Sequence, residues 1–156
     1  MSELPVYRPQ ILPEWIDYNG HVRDAYYGLI FSYAIDDLMD RVGIDEAYRQ
    51  STRNTLYSLE MHTYFLREVK QSDSVLVRTG IIAADHKRMH VATALHCGRF
   101  PEAAATAEFM LLHVHQGEAV KSAPFPPPVR ARIDEIAALT AQHPALGAAS
   151  RKIELR

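Results

Sequence analysis

The segment Asp24-Ala-Tyr-Tyr-Gly-Leu-Ile-Phe-Ser-Tyr-Ala-Ile-Asp-Asp-Leu-Met-Asp-Arg-Val42 is apolar on nearly every side. Ala25, Tyr26, Tyr27, Leu29, Ile30, Phe31, Tyr33, Ala34, Ile35, Leu38 and Met39 cover almost the full circumference of a helix rather than one stripe. A helix of that kind must be enclosed on most sides. In a chain of 156 residues the natural enclosure is a curved sheet. Asp24 suits the N-cap of this helix, and Gly43 suits the left-handed position that ends many helices.

The sheet is predicted on the C-terminal side. Residues 54–69 alternate with a period of two, which marks a strand. The alternation puts Thr55, Tyr57, Leu59, Met61, Thr63, Phe65 and Val69 on one face, and Ser58, Glu60, His62, Tyr64 and Glu68 on the other. Further strands are predicted over 74–84, 87–98 and 104–115, with Asp85-His86 as a turn. Their short connections favour an antiparallel meander. Val129, Ile133, Ile136 and Leu139 then recur at helical spacing just after the run Pro124-Phe-Pro-Pro-Pro128. On the N-terminal side, residues 5–16 read as a short edge strand interrupted by Pro9 and Pro13. Residues 17–23 form a loop with a turn signal at Asn19-Gly20. The expected architecture is a single α+β domain over 1–156. Its core spans about 5–120, and a C-terminal helix and tail cover about 126–156.

A net charge of -2 argues against nucleic acid as the main partner. The lone cysteine, Cys97, cannot make an internal disulfide, so nothing calls for an oxidising compartment. The first residues carry neither a basic nor an apolar segment, and no apolar run is long enough to span a bilayer. A cytoplasmic location without membrane contact is expected. His90, His96, His113 and His115 lie on strands without a cysteine or carboxylate at ligand spacing, so no metal is expected.

The loop before the apolar helix carries Asp17-Tyr-Asn-Gly-His-Val22. This stretch resembles the Asp-x-x-Gly-His-Val/Met signature of hotdog-fold thioesterases related to 4-hydroxybenzoyl-CoA thioesterase. Thr55-Leu-Tyr-Ser-Leu-Glu-Met-His-Thr-Tyr-Phe-Leu-Arg-Glu-Val69, Asp85-His-Lys-Arg-Met-His90, Ala105-Thr-Ala-Glu-Phe-Met-Leu-Leu-His-Val114 and Pro124-Phe-Pro126 resemble the betainyl-CoA thioesterases of bacterial carnitine breakdown. The resemblance covers roughly residues 10–130. It implies a hotdog fold, an antiparallel sheet wrapped around a long central helix. It also implies hydrolysis of betainyl-CoA to glycine betaine and CoA, and assembly as a homodimer or homotetramer. No cofactor is implied, since CoA is part of the substrate. The chain departs from many relatives at Arg23 and Asp24, where a small polar residue is usual.

Thioester hydrolysis needs a base or nucleophile and donors for the developing oxyanion. Asp17 stands just before a helix start, where free N–H groups and the helix dipole converge. It would act with Asn19, Gly20 and His21; the same aspartate also suits a plain turn with Asn19 and Gly20. Glu60 and His62 share a strand face and could assist Asp17 or place negative charge near a cationic acyl group. Equally, that face could simply be solvated. Trp15, Tyr18, Tyr26 and Tyr27, with Ser58, are candidates for binding the acyl group, because aromatic faces attract quaternary ammonium. Aromatics on an apolar helix also serve as ordinary core. Lys87 and Arg88 are candidates for the CoA phosphates. Two other readings stay open: a hydratase or dehydratase of enoyl thioesters, and a non-catalytic acyl-CoA binding module.

Overall fold

The computed structural model describes residues 3–146, so most of the tail predicted over 142–156 lies outside the described residues. After β1 (Val6–Tyr7) and a 3-10 turn at Pro13–Trp15, the chain enters α1 (Asp24–Val42) and α2 (Glu46–Thr52). Then come β2 (Asn54–Phe65), β3 (Val75–Ala84), β4 (Arg88–Cys97), β5 (Ala105–Gln116) and β6 (Val120–Ser122), followed by α3 (Pro127–Thr140). Antiparallel pairing orders the sheet β1-β3-β4-β5-β2, with β6 also on β5. The expected α+β hotdog architecture is present, but three local expectations are corrected.

The first correction concerns α1. Its buried residues are Tyr27, Ile30, Phe31, Ala34, Ile35, Leu38, Met39 and Val42, a single stripe at three-to-four spacing rather than the full circumference. Tyr33, on the opposite side, is 42% exposed and meets only the ring of Tyr7 among the aromatics. One chain therefore encloses one side of this helix. Gly43 does close it, at φ 87°. Asp24 is not its N-cap. Arg23 holds that position in extended geometry without a side-chain cap, and Asp24 is the first helical residue.

The second correction concerns the sheet order. Only β3, β4 and β5 form a meander. β2 pairs with β5 at the far edge, so the segment 66–74 must cross the end of the sheet to reach β3. Leu66 and Arg67 anchor this crossing by donating to the Ala104 carbonyl, both at 2.9 Å. Val22 N–H donates to the Val69 carbonyl at 2.8 Å, which ties the crossing to the loop before α1. The predicted strand over 54–69 thus stops at Phe65. At the other end, the predicted strand over 5–16 reduces to two residues. Pro9 and Pro13 lack the N–H that a longer edge ladder needs.

The third correction is a β-bulge in β2. Ser58 pairs with Leu111 and Glu60 with Met110, leaving Leu59 as the extra residue. Directly opposed residues share a face. Phe65, Thr63 and Met61 therefore stand with Ala105, Ala107 and Phe109 on the α1 side, and so do Ser58 and Leu56 beyond the bulge. Tyr64, His62 and Glu60 stand on the outer side, and so do Tyr57 and Thr55. Ser58 is consequently parted from Glu60 and His62, contrary to the alternation.

The core lies between α1 and the inner faces of β3, β4 and β5, where Val77, Ile81, Met89, Val91 and Leu95 are fully buried. α3 starts after Pro126, and Val129, Ile133 and Ile136 are buried as predicted, whereas Leu139 is only partly buried and Thr140 is the fourth buried residue. Thr140 at its end accepts the N–H of Ile81 at 3.0 Å, beside a second bulge in β3.

Candidate active site

The loop 17–23 is held by its own polar groups. Asp17 Oδ1 accepts the N–H of Asn19 at 2.8 Å and that of His21 at 3.2 Å. Asp17 N–H donates to the His21 carbonyl at 2.8 Å, and Gly20 N–H donates to the Asp17 carbonyl at 3.0 Å. Gly20 sits at φ 79°, a left-handed conformation that a side chain would strain. Partial desolvation alone would raise the Asp17 pKa. The two N–H groups, with His21 and Arg23 nearby, prevail and hold it below the usual aspartate value of 3.8. The carboxylate is thus ionised at any working pH. Its contacts are those of the turn with Asn19 and His21 that the sequence also allowed, and the carboxylate lines neither of the two cavities at the start of α1.

Two open cavities flank that helix end. One, of about 370 Å³, is lined by His21, Val22, Asp24, Tyr27, Phe65, Leu66, Arg67 and Glu68. The other, of about 350 Å³, is lined by Asp24, Ala25, Gly28, Met61, Thr63 and Phe65. Met61 reaches under the helix there, and a side chain at Gly28 would meet its Cε at 3.7 Å. His21 joins the Asp17 loop to the first cavity. Asp24 borders both, and its Oδ1 accepts the N–H of Ala25 at 2.8 Å. Tyr26 N–H donates to the Arg23 carbonyl at 3.0 Å. Two of the helix's first N–H groups are thereby engaged by its own residues.

The predicted aromatic box divides in two. Trp15 is buried and stacks on Tyr26, with ring centroids 5.5 Å apart and planes 17° off parallel. Tyr27 meets Phe65 edge-on at 5.2 Å inside the first cavity. Tyr18 is 91% exposed and belongs to neither pair.

Glu60 and His62 are not brought to this helix end. They lie on the outer face of the sheet with His90 and Glu108, around a recess of about 190 Å³. His62 Nε2 is 2.9 Å from Glu60 Oε1, and His90 Nε2 is 2.9 Å from Glu108 Oε2. Lys87 and Arg88 are also remote. Arg88 pairs with Leu112 whereas Phe65 pairs with Ala105, seven positions along β5 and roughly 23 Å at strand spacing. Arg88 is bound to Asp85, and Lys87 Nζ donates to Ser122 Oγ. Bonds from Lys87 N–H, the Arg88 side chain and Arg88 N–H hold the Asp85 carboxyl far below the usual range.

Sequence reasoning missed Phe65, Arg67 and Glu68 as site residues. One signal was available: Arg67 interrupts the apolar face that Phe65 and Val69 otherwise continue, and the strand ends there. Among the described residues no group of three or more His, Cys, Asp and Glu side chains is placed to hold a metal ion. Cys97 is buried.

A sheet curled over one long helix, with a polar loop and two cavities at the helix N-terminus, defines a hotdog domain of the thioester-handling kind. The chain belongs to the Thioesterase-like superfamily, whose sequence profile matches residues 11–133. It is 46% identical over 134 residues to a betainyl-CoA thioesterase of Pseudomonas aeruginosa, covering 86% of this chain and 84% of that protein. It is similar to the crystal structure of a putative thioesterase from Pseudomonas putida at 40% identity and a TM-score of 0.81, covering 100% and 98% of the two chains. It is also similar to a hypothetical protein from Staphylococcus aureus solved in complex with CoA, at 28% identity and a TM-score of 0.82, covering 88% and 86%. The expectation of a hotdog acyl-CoA thioesterase is borne out.

Proposed function

We propose that the chain hydrolyses betainyl-CoA to glycine betaine and free CoA at the N-terminal end of α1. The observation that carries this reading is the cavity there. It joins two aromatic rings, Tyr27 and Phe65, to two carboxylates, Asp24 and Glu68, and opens beside the Asp17 loop. Aromatic faces and carboxylates together suit a trimethylammonium acyl head. The 46% identity to the Pseudomonas aeruginosa enzyme supports the same substrate.

Asp17 acts as general base on water or as direct nucleophile, and its lowered pKa keeps it ionised for either role. The positive end of α1 stabilises charge developing on the thioester oxygen. Asn19 and His21 hold the carboxylate in place through their N–H groups, and Gly20 closes the turn on the Asp17 carbonyl. The thiolate is a good leaving group and needs no strong acid. CoA is part of the substrate, and no cofactor takes part.

The working form is a homo-oligomer. β2 is an edge strand, and Leu59, Met61, Phe65 and Leu66 on or beside it are exposed. An apolar edge of this length invites pairing with a second copy. Such a copy would also wall the cavities that Met61 and Phe65 border. No helix among the described residues is long and apolar enough to cross a membrane. Action on CoA esters in the cytoplasm, in carnitine breakdown, accords with the free Cys97.

The test is thiol release from a panel of CoA thioesters, read with Ellman's reagent on the purified protein. Betainyl-CoA is expected to give the highest kcat/KM. Equal rates across the panel overturn the substrate, and absence of any thiol release overturns the reaction. Light scattering on the same sample is expected to show at least a dimer, and a monomer at working concentration overturns the assembly.

A further inference from the structure

The first cavity holds two acids against one arginine, and the acids differ in how they are fixed. The Asp24 carboxylate is turned back onto the N–H of Ala25. Glu68 is held by a separate apparatus. Arg99 Nη2 donates to the Glu68 carbonyl at 2.7 Å, and its Nη1 lies 3.6 Å from Glu68 Oε1. Arg99 Nε is bonded to Asp73 Oδ1 at 2.8 Å, and the Asp73 side chain is buried. The guanidinium also lies 4.8 Å over the ring of Phe100. Arg99 is therefore clamped before any ligand arrives, and it fixes both the backbone and the carboxylate of Glu68. The opposing Arg67 is drawn to the same ring of Phe100, at 5.8 Å, and its Nη1 donates to the Leu66 carbonyl. The cavity thus keeps one carboxylate of set position, Glu68, beside Tyr27 and Phe65, with Arg67 also in its lining. A rim fixed in advance binds a cation at a smaller ordering cost than a free glutamate would.

We propose that Glu68, positioned by Arg99, selects acyl groups that carry a positive charge. It faces the trimethylammonium head while Tyr27 and Phe65 take up the methyl groups. This rests on the betainyl-CoA reading and adds to it the residue that tells the substrate from a neutral isostere. The isostere is 3,3-dimethylbutyryl-CoA, which keeps the shape and replaces the charged nitrogen with carbon. A site that reads only shape treats the two alike.

The experiment compares kcat/KM for the two thioesters in the unmodified protein, E68Q, E68K and R99Q. The unmodified protein is expected to prefer betainyl-CoA. E68Q should lower that preference, read as the ratio of the two kcat/KM values, about tenfold, the scale of one partly desolvated charge contact. E68K should lower it further, and R99Q should lower it less than E68Q. Glu68 is on an exposed rim, so the thermal melt of E68Q should match the parent. A preference unchanged in both E68Q and E68K overturns the role of Glu68 and leaves the substrate reading intact. Failure of the unmodified protein to cleave betainyl-CoA overturns both.

Discussion

The N-terminal end of α1 and the outer face of the sheet each gather carboxylates and imidazoles, and they use them in opposite ways. At the helix end, Asp17 sits on an accessible loop, and Asp24 and Glu68 border open cavities. On the outer face, Glu108 is 6% exposed with Oε2 on His90, and its Oε1 has no partner among the described residues. The first arrangement offers charge to a ligand. The second ties carboxylates to neighbouring imidazoles around the outer recess. A single residue assigns Glu60 and His62 to the second group. The extra Leu59 turns the strand so that Ser58 and Met61 face α1 while Glu60 and His62 face outward. Residue type alone does not mark a site; the side of the sheet does.

The largest expected difference between the regions is catalytic. Asp17→Asn should lower kcat about 100- to 1,000-fold, the usual contribution of a positioned base or nucleophile. Glu60→Gln and His62→Gln should leave kcat within about twofold. Comparable losses from Glu60→Gln would erase the distinction and return the outer face to the mechanism. The pH profile sharpens it further. Hydrogen bonds hold the Asp17 carboxyl below 3.8, so kcat/KM should stay flat as pH falls toward that value. An acid limb near neutrality would take the role of base away from Asp17.

Inserting one alanine after Leu59 attacks the geometry that separates the two regions. Deleting Leu59 would only make the ladder regular, with Ser58 next to Glu60 and every side chain on its present face, whereas a second extra residue flips every side chain on one side of the insertion. Leu56 would leave the core and Tyr57 would replace it. The expected cost is about 3 kcal/mol, read from urea unfolding. Unchanged stability would mean that the bulge does not set the register.

The same bulge shows what the sequence could and could not reveal. The span of α1, its stop at Gly43, the long strands and α3 were legible because each rests on local periodicity or a local breaker. Asp17, Gly20 and His21 were legible because the motif is contiguous. Leu59 was not, because a bulge is a relation between two strands, and β2 alone alternates without a visible fault. The strand order was hidden for the same reason. Without it, nothing reveals that 66–74 crosses the sheet end and brings Arg67 and Glu68 to α1. The single buried stripe of α1 was also misread. Tyr26, Leu29 and Tyr33 are apolar by composition, yet one chain does not enclose them.

A smaller effect separates paired charge from available charge. His90→Ala would leave the Glu108 carboxylate buried with neither oxygen on its present partner, at a cost of about 1–2 kcal/mol. Adding Glu108→Leu should recover part of that loss, because removing both members also removes the unpaired charge. Activity should follow neither change. If His90→Ala lowers kcat more than stability, the outer recess belongs to the active form, through a second copy of the chain.

The smallest effect concerns His113, an imidazole belonging to neither region. It is fully buried on the inner face of β5. Its Nδ1 lies 2.9 Å from the Ala123 carbonyl and must donate to it, so its Nε2 accepts from the Tyr48 hydroxyl, also at 2.9 Å. The neutral ring satisfies both nitrogens. Burial pushes the pKa below 6.5, against a partial opposing pull from the carbonyls of Ala123 and Pro124. The unfolded chain therefore takes up a proton first as pH falls. The stabilisation is complete above 6.5, is lost as pH drops from there toward the folded value, and declines no further below it. His96 is lowered in the same direction by burial and by Arg78, so its share must be subtracted with His96→Gln. In that background, unfolding free energy should still fall with acidification below pH 6.5, and His113→Phe should remove the remaining slope while lowering stability at neutral pH. A slope that survives in His113→Phe would place the proton uptake on the exposed histidines, and the buried imidazole would then not be held neutral by its surroundings.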